Sequence, residues 1–363
     1  MSPARNQCKA GSVFQEVEHM ALHDTRGGKR NTVFNPYLNE YVTKRTKKHR
    51  YLQTVLATSP NKYDNEWIGD DVEKAPKNNL RLWFQNCNGM IKGGDIREFQ
   101  FDVANMADGG INYFSFSETC VNHSKFGLSS KISDAFKQVI PSGGFSLHNT
   151  PDYPRISNYQ PGGVAAGFDD VLRMRFLKEG RDEMGRWIWQ EFGQNDRILR
   201  IYTVYRVNDG SDFASGVNTA WSQQKRVLLK NNNTSNPRKN MMEMLVRELR
   251  EVTERGVNVV VGGDFNESLS SPEKMSEMME SIGLCNVFQN RNNTTDLPRT
   301  HARGSKAIDH IWVTPYIRDN IVSAGMAPFG YMYESDHRGL FIDLNESMLF
   351  QPEDIKIVYH DFR

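Results

Sequence analysis

The chain has 363 residues, with 45 Lys and Arg against 44 Asp and Glu for a formal net charge of +1, enough for one large domain or two ordinary ones with a buried core. No stretch approaches the ~20 apolar residues of a membrane-spanning helix, and the N-terminal "MSPARNQCKAGSVFQEVEHM" lacks the apolar centre of a secretory leader, so no membrane partner is expected. Cys8, Cys87, Cys120 and Cys285 lack CxxC spacing, which gives no hint of zinc and suits a reducing, intracellular setting.

The charge is unevenly spread. Residues 1–62 carry 11 Lys and Arg against four Asp and Glu, with five of those cations in "KRTKKHR". Lys44, Arg45, Lys47 and Lys48 are therefore candidates for phosphate-backbone contacts or a nuclear-targeting patch. A solvated, partly disordered tail is the alternative. A helix is expected around 40–57, ended by Ser59-Pro60. Residues 1–78 read as a basic N-terminal extension, partly helical or disordered, before a domain over 79–346 and a tail over 347–363. The mean hydropathy of −0.62 agrees with some of the length being loop or tail.

From Leu80 the texture changes. "LRLWFQNCNG" and "INYFSFSET" are rich in β-formers and end on small polar residues. Between them "DIREFQFDVANMAD" has helical spacing at Ile96, Phe99, Val103 and Met106. Further strands are expected at 162–168, 186–193, 198–207, 258–265, 307–314 and 339–344. Helices are expected over 215–229 and 241–256, and over 272–282 with Ser271 as N-cap and Pro272 at the first helical position. "NNNTSNPRKN" (231–240) reads as a polar loop. Strands interleaved with a few helices, without a regular βαβ repeat, give an α+β layered class.

These strands share one oddity: they deliver polar residues to one end. "FQNCNG" presents Asn86 and Asn88, "FSFSETC" presents Glu118, and "VYRVND" presents Tyr205 and Asn208. "VVVGGDFNES" presents Asp264 and Asn266, "AIDHI" presents Asp309, and "ESDHRG" presents Asp336 and His337. Taken singly, an Asp after Gly-Gly is a turn residue and Ser-Asp-His a loop or cap. Asp309 inside an apolar strand is harder to dismiss, because a buried carboxylate needs a partner or a metal. Together they supply hard oxygen ligands for Mg²⁺, a histidine for a phosphoryl oxygen and an aspartate to deprotonate water. That is the equipment of metal-assisted phosphodiester hydrolysis.

The series N-x-N-G, S-E-T, Y-x-x-N, G-D-F-N, I-D-H and S-D-H, in this order from about 80 to 345, resembles the endonuclease/exonuclease/phosphatase superfamily. The resemblance implies a DNase-I-like, four-layered α/β sandwich, with two mainly antiparallel sheets packed face to face and helices outside. It implies that Glu118, helped by Asp336 and Asn88, holds Mg²⁺, for which Mn²⁺ could substitute. Asp264 would activate water, with Asn266 positioning it or the phosphate. His337, paired with Asp309, would stabilise the phosphoryl oxygens. Tyr205 and Asn208 would contact the scissile phosphate, and Asn86 would orient the acidic cluster.

Substrate is narrowed by three features. Tyrosine followed three residues later by asparagine looks like abasic-site and LINE-type retroelement endonucleases. "NCNG" has Asn88 where abasic-site enzymes have Asp, and Lys306 stands where they have an aromatic wall for a flipped sugar. "RTHARGSKAIDHIWVT" and "SDHRGLFIDL" resemble endonuclease segments of non-LTR retroelement polyproteins, and Arg299, Arg303 and Lys306 suit backbone phosphates. A solvated basic hairpin is the alternative for these cations. The expectation is a Mg²⁺-dependent DNA endonuclease of the retroelement type, whose nick leaves a 3′-hydroxyl for a reverse transcriptase in another domain or protein. An abasic-site repair endonuclease and a phosphatase or RNA-directed member are the alternatives.

Overall fold

The computed structural model of the chain describes residues 64–350 apart from 73–77, 92–94, 123, 126, 152, 154–156, 195 and 209–215, together with the backbone of 32–35 and 40–43. Strands β1 (Thr32–Asn35) and β2 (Glu40–Thr43) form an antiparallel pair. The helix expected to begin near residue 40 is therefore a strand at its start, as suits the β-branched Val42 and Thr43 opposite Val33 and Thr32. Lys44, Arg45, Lys47 and Lys48 lie outside the described residues.

The remaining strands are β3 (Ile68–Gly69), β4 (Asn79–Asn86), β5 (Tyr113–Ser117), β6 (Gly144–His148), β7 (Val164–Phe168), β8 (Phe176–Arg181), β9 (Trp187–Gln194), β10 (Arg197–Tyr205), β11 (Asn258–Asp264), β12 (Cys285–Asn286), β13 (Asp309–Val313), β14 (Ile321–Met326) and β15 (Leu340–Asn345). They build two mixed sheets, ordered β3-β14-β15-β4-β5-β7-β6 and β12-β13-β11-β10-β9-β8. Each sheet holds one parallel pair, β4–β5 and β10–β11, among antiparallel ones. Because β3 pairs with β14, the first sheet takes in residues ahead of position 79.

Period-two alternation on β4 assigns its side chains to two cores. Leu80, Leu82 and Phe84 enter the core between the sheets, with Val164, Ile201, Val260 and Ile342. Trp83 faces the other way, into a second core with Phe99, Val103 and Met106 of helix α1 (Ile96–Asp108) and Ile132 and Phe136 of α2 (Leu128–Val139). The second sheet is backed by α4 (Ala220–Lys230) and α5 (Pro237–Glu254), with α3 (Asp170–Arg173) in the connection before β8. The result is the expected α+β sandwich of two sheets flanked by helices.

Local chemistry moves several boundaries. Helix α5 begins at Pro237, four residues ahead of expectation, because the Asn236 side chain caps Arg238 N at 2.8 Å and Pro237 occupies the first turn. The last part of the supposed polar loop is thus helix. Helix α6 runs only over Met275–Glu280. Ser271–Lys274 instead forms a turn, and Glu267 Oε1 accepts from Met275 N at 3.1 Å, so a glutamate outside the helix caps its start. The strand expected from 162 begins at Val164, since Gly162 and Gly163 both have φ near +90°. Strands β6, β8 and β14 were not expected, nor was helix α2, although its Leu128, Ile132, Phe136 and Val139 recur at helical spacing and face the second core.

Candidate active site

Topology gathers the polar strand ends. Strands β4 and β5 run parallel and end together, Asn86 opposite Ser117, and β10 and β11 end together, Tyr205 opposite Asp264. Antiparallel β13 begins where β11 ends, so Asp309 faces Asp264 across the ladder. Strand β15 likewise begins beside the end of β4, bringing Asp336 and His337 to the same edge. Parallel pairing within each sheet is what places motifs so far apart in sequence on one rim.

The close approach of the sheets at this rim depends on glycine. A Cβ on Gly262 would stand 2.3 Å from the Phe84 ring of the facing sheet. Gly263 has φ +140°, and a Cβ there would meet the Val204 carbonyl oxygen at 2.1 Å and Ser117 Oγ at 2.9 Å. The Gly-Gly pair therefore makes room for neighbouring protein immediately before Asp264.

Asn86 sits at the centre of the cluster. Its Nδ2 donates to Asp264 Oδ2 at 2.8 Å and to Glu118 Oε2 at 3.1 Å, while its Oδ1 accepts from Asn88 N at 2.8 Å. Asp264 also accepts from the Asn266 backbone N at 2.7 Å and from Asn266 Nδ2 at 3.1 Å. Burial raises the Asp264 carboxyl well above its usual range, the Asp309 and Glu118 charges add to this, and His337 opposes it. A carboxylate so perturbed is a stronger base than an exposed one.

His337 Nδ1 is bonded to Asp309 Oδ2 at 2.8 Å, and both side chains are buried. Burial disfavours the imidazolium, but Asp309, Asp264 and Asp336 outweigh it and push the ring up to about 10. The Tyr205 hydroxyl is held well above its ordinary value by burial and by the Glu118 and Asp264 charges, which keeps it a neutral donor. Glu118, Asn88 and Asn266 all adopt left-handed φ, at +51°, +42° and +49°. Non-glycine residues hold that conformation only where their surroundings fix it, and such strain concentrates at functional positions.

Single ligand atoms of Glu118, Asp264 and His337 lie within 4.8 Å of one another, as do those of His301, Asp336 and His337. Asn88 Nδ2 donates to both Asp336 oxygens, at 2.9 and 2.8 Å. Four carboxylates (Glu118, Asp264, Asp309 and Asp336) thus crowd round one imidazole. A donor set so rich in oxygen and so short of cations fits a hard divalent ion. Glu118 and Asp336 belong to different groups of ligand atoms, with Asn88 and Asn86 spanning them.

The expected cations divide. Lys306 Nζ donates to Ser270 Oγ at 3.1 Å and lines a cavity of about 300 Å³ beside Asn266, with Arg238, Glu267 and Glu273. Arg299 is held elsewhere, its guanidinium donating to both Asp64 oxygens at 3.1 and 2.6 Å. Arg303 and Asn208 are exposed, in the loops after Thr300 and after β10.

Several supporting residues carry no motif of their own. Ser335 Oγ donates to the Asn86 carbonyl at 2.6 Å and accepts from His337 N at 3.2 Å. Thr300 Oγ1 accepts from both Ile308 N and Asp309 N. Arg238 donates to the carbonyls of Val207 and Asn266, tying α5 to the ends of β10 and β11. Ser335 stands inside the quoted S-D-H, so the motif held the signal. Thr300 lies inside the quoted "RTHARGSKAIDHIWVT", whereas Arg238 had no signal, because its role comes from contacts across the fold.

No protein-family model matches the sequence, and no match was found among curated proteins. Solved structures do match. An AP endonuclease from Leishmania major superposes with TM-score 0.57 at 14% identity, over 83% of this chain and 99% of that one. This chain shares the fold of that enzyme, an α+β sandwich of two sheets flanked by helices. The Xenopus laevis APE2 catalytic domain shares this fold with TM-score 0.52 at 12% identity, over 73% of this chain and 92% of that one. A 3′ phosphatase from Neisseria, bound to a product DNA hairpin, gives 0.50 at 14%, over 73% and 99%. The strand ends of the two packed sheets lie together at the rim that carries the cluster.

Proposed function

We propose that the protein is a divalent-metal-dependent DNA endonuclease that hydrolyses a phosphodiester bond to leave a 3′-hydroxyl. The observation that carries this reading is the buried Asp264, held by Asn86 and Asn266 and grouped with Glu118 and His337. Base, imidazolium and metal ligand meet there in one place.

Each residue has a role that its surroundings support. Glu118 and Asp336, with Asn88, would hold Mg²⁺ or Mn²⁺, which would supply positive charge to stabilise the phosphate as negative charge grows. Asp264 takes a proton from the attacking water, and its Asn266 and Asn86 bonds fix which lone pair faces that water. His337, charged by its Asp309 partner, donates to a non-bridging phosphoryl oxygen as negative charge grows. Tyr205 offers its hydroxyl to the same phosphate, and Asn208 would reach it from the loop after β10. Lys306, beside Asn266, neutralises a flanking phosphate, joined by Arg303 and by the basic segment that includes Lys44, Arg45, Lys47 and Lys48. Arg299 positions the loop that carries Lys306 through its Asp64 pair.

Within DNA nucleases we favour the retroelement type, acting with a reverse transcriptase in a nuclear setting. Its support is the N-x-N-G form at Asn86–Gly89 and Lys306 in place of an aromatic wall before Asp309. The names of two neighbours favour a second reading, an abasic-site endonuclease. A supercoiled-plasmid nicking assay decides between them. Intact and abasic plasmid should be relaxed at similar rates with Mg²⁺, not with EDTA, and neither by Asp264→Ala or His337→Ala. A large preference for abasic DNA would move the assignment to repair. Metal-dependent nicking by Asp264→Ala would defeat the mechanism.

A further inference from the structure

His301 takes no part in the hydrolytic cluster described above, yet it stands against it. It forms an isolated antiparallel bridge with His337, and the two rings lie 4.8 Å apart, centroid to centroid, inclined at 51°. Its Nε2 is 3.8 Å from Asp336 Oδ2, too long for a hydrogen bond. The Ala302 N donates to the Asp336 carbonyl at 2.8 Å, which fixes the two backbones side by side. The His301 side chain is 28% exposed, so solutes reach it.

We propose that His301, His337 and Asp336 form a second cation site, for a borderline-soft transition metal of the Zn²⁺ type, and that its occupancy inhibits hydrolysis. Their ligand atoms lie within 4.8 Å of one another. A tetrahedral zinc with bonds of about 2.0–2.2 Å spaces its ligands roughly 3.4 Å apart, so small side-chain rotations close the site. Two imidazoles and one carboxylate suit zinc, whereas the oxygen set round Glu118, which in the hydrolytic reading shares Asp336 with this site, suits Mg²⁺. The surroundings are already those of a metal-binding histidine: Asp309 holds His337 Nδ1 at 2.8 Å, which aims Nε2 outward, and Asn88 anchors both Asp336 oxygens. Zinc would take the lone pair of His337 Nε2, the ring atom left facing outward by the Asp309 bond at Nδ1. His337 can then no longer donate to a phosphoryl oxygen. The inhibitory half rests on the hydrolytic reading above; the binding half does not.

The test uses the full chain, stripped with EDTA. Zinc affinity is read by competition with a chromophoric chelator, and Co²⁺ serves as a spectroscopic probe through its visible d–d absorption. We expect His301→Ala to bind zinc at least ~10-fold more weakly and to lose the intense Co²⁺ bands of a low-coordinate site. His301→Cys, which restores a soft ligand, should recover zinc binding. In Mg²⁺-supported nicking, each protein compared with its own zinc-free rate, the zinc midpoint should rise by a similar factor in His301→Ala. Equal zinc affinity in wild type and His301→Ala overturns the site. Tight zinc binding that depends on His301, in a protein that nicks no DNA with Mg²⁺, would keep the site and reject the hydrolytic reading.

Discussion

Replacing Asp309 by asparagine isolates the charge that the structure gives to His337. The substitution keeps size and a hydrogen-bond acceptor opposite Nδ1 but removes the carboxylate now 2.8 Å away. In the intact protein, burial opposes the imidazolium, yet the surrounding carboxylates lift the ring from 6.5 to about 10. A rise of that size corresponds to about 5 kcal/mol in favour of the charged form. Asp309 is the largest of the raising causes, so without it His337 should titrate clearly below about 10. At about pH 8 the imidazolium, nearly all of the population in the intact protein, should become a smaller fraction. His337 imidazole signals followed by NMR in metal-free protein test this directly. If the charged ring is the donor, nicking by Asp309→Asn should be depressed at about pH 8 and recover toward acid. The same shift gives a stability signature. A histidine raised on folding stabilises fully below its unfolded value and loses that contribution as pH rises towards about 10. Asp309→Asn should lack this alkaline loss. A wild-type His337 that titrates near its ordinary value, or one unmoved by the substitution, would refute the reasoning.

Three other substitutions probe the frame and the base. Gly263→Ala places a Cβ 2.1 Å from the Val204 carbonyl oxygen at φ +140°, and urea unfolding should show a loss of about 2–4 kcal/mol; a loss within the ordinary surface range would mean β10 and β11 are not held this close. Asp264→Asn should cut nicking by at least ~10²-fold while leaving the unfolding midpoint at neutral pH equal or higher, because folding disfavours the ionised carboxylate; a clear loss of stability would contradict that burial penalty. His310, fully buried with Nε2 bonded to the Glu267 carbonyl at 2.8 Å, is held neutral, its value lowered by burial to about 4. Its contribution is present above pH ~6.5 and is lost as pH falls to about 4, worth about 3 kcal/mol. His310→Gln should flatten that acid limb of the stability curve, and an unchanged limb would assign it to other groups.

The strands and the candidate cluster were legible because each depends on local pattern. Continuous apolar runs such as Val259–Val261 and the alternation of β4 fix strands whatever lies around them. Polar residues two apart at their ends are visible in the same way. Helix α6 was misplaced because its cap is a glutamate eight residues earlier, and β14 passed unseen because "IVSAGM" gains its partners only from β15 and β3. Arg299 read as a phosphate ligand because nothing nearby in sequence announces Asp64, 235 residues away, as its partner.

The amino-acid order by itself determined which residues could do chemistry and which end of each strand would carry them, since both follow from side-chain type and period. Only the tertiary structure decided how those ends meet. Parallel pairing of β4 with β5 and of β10 with β11 put the six motifs on one rim, and the glycines let the sheets close there. Folding then raised both Asp264 and His337 for different reasons: desolvation for the carboxyl, and the surrounding carboxylates, against the effect of burial, for the imidazole. His301 shows the same division. In sequence it is one histidine in a basic loop, and only folding sets it beside His337 and Asp336, because proximity across a fold leaves no trace in local pattern.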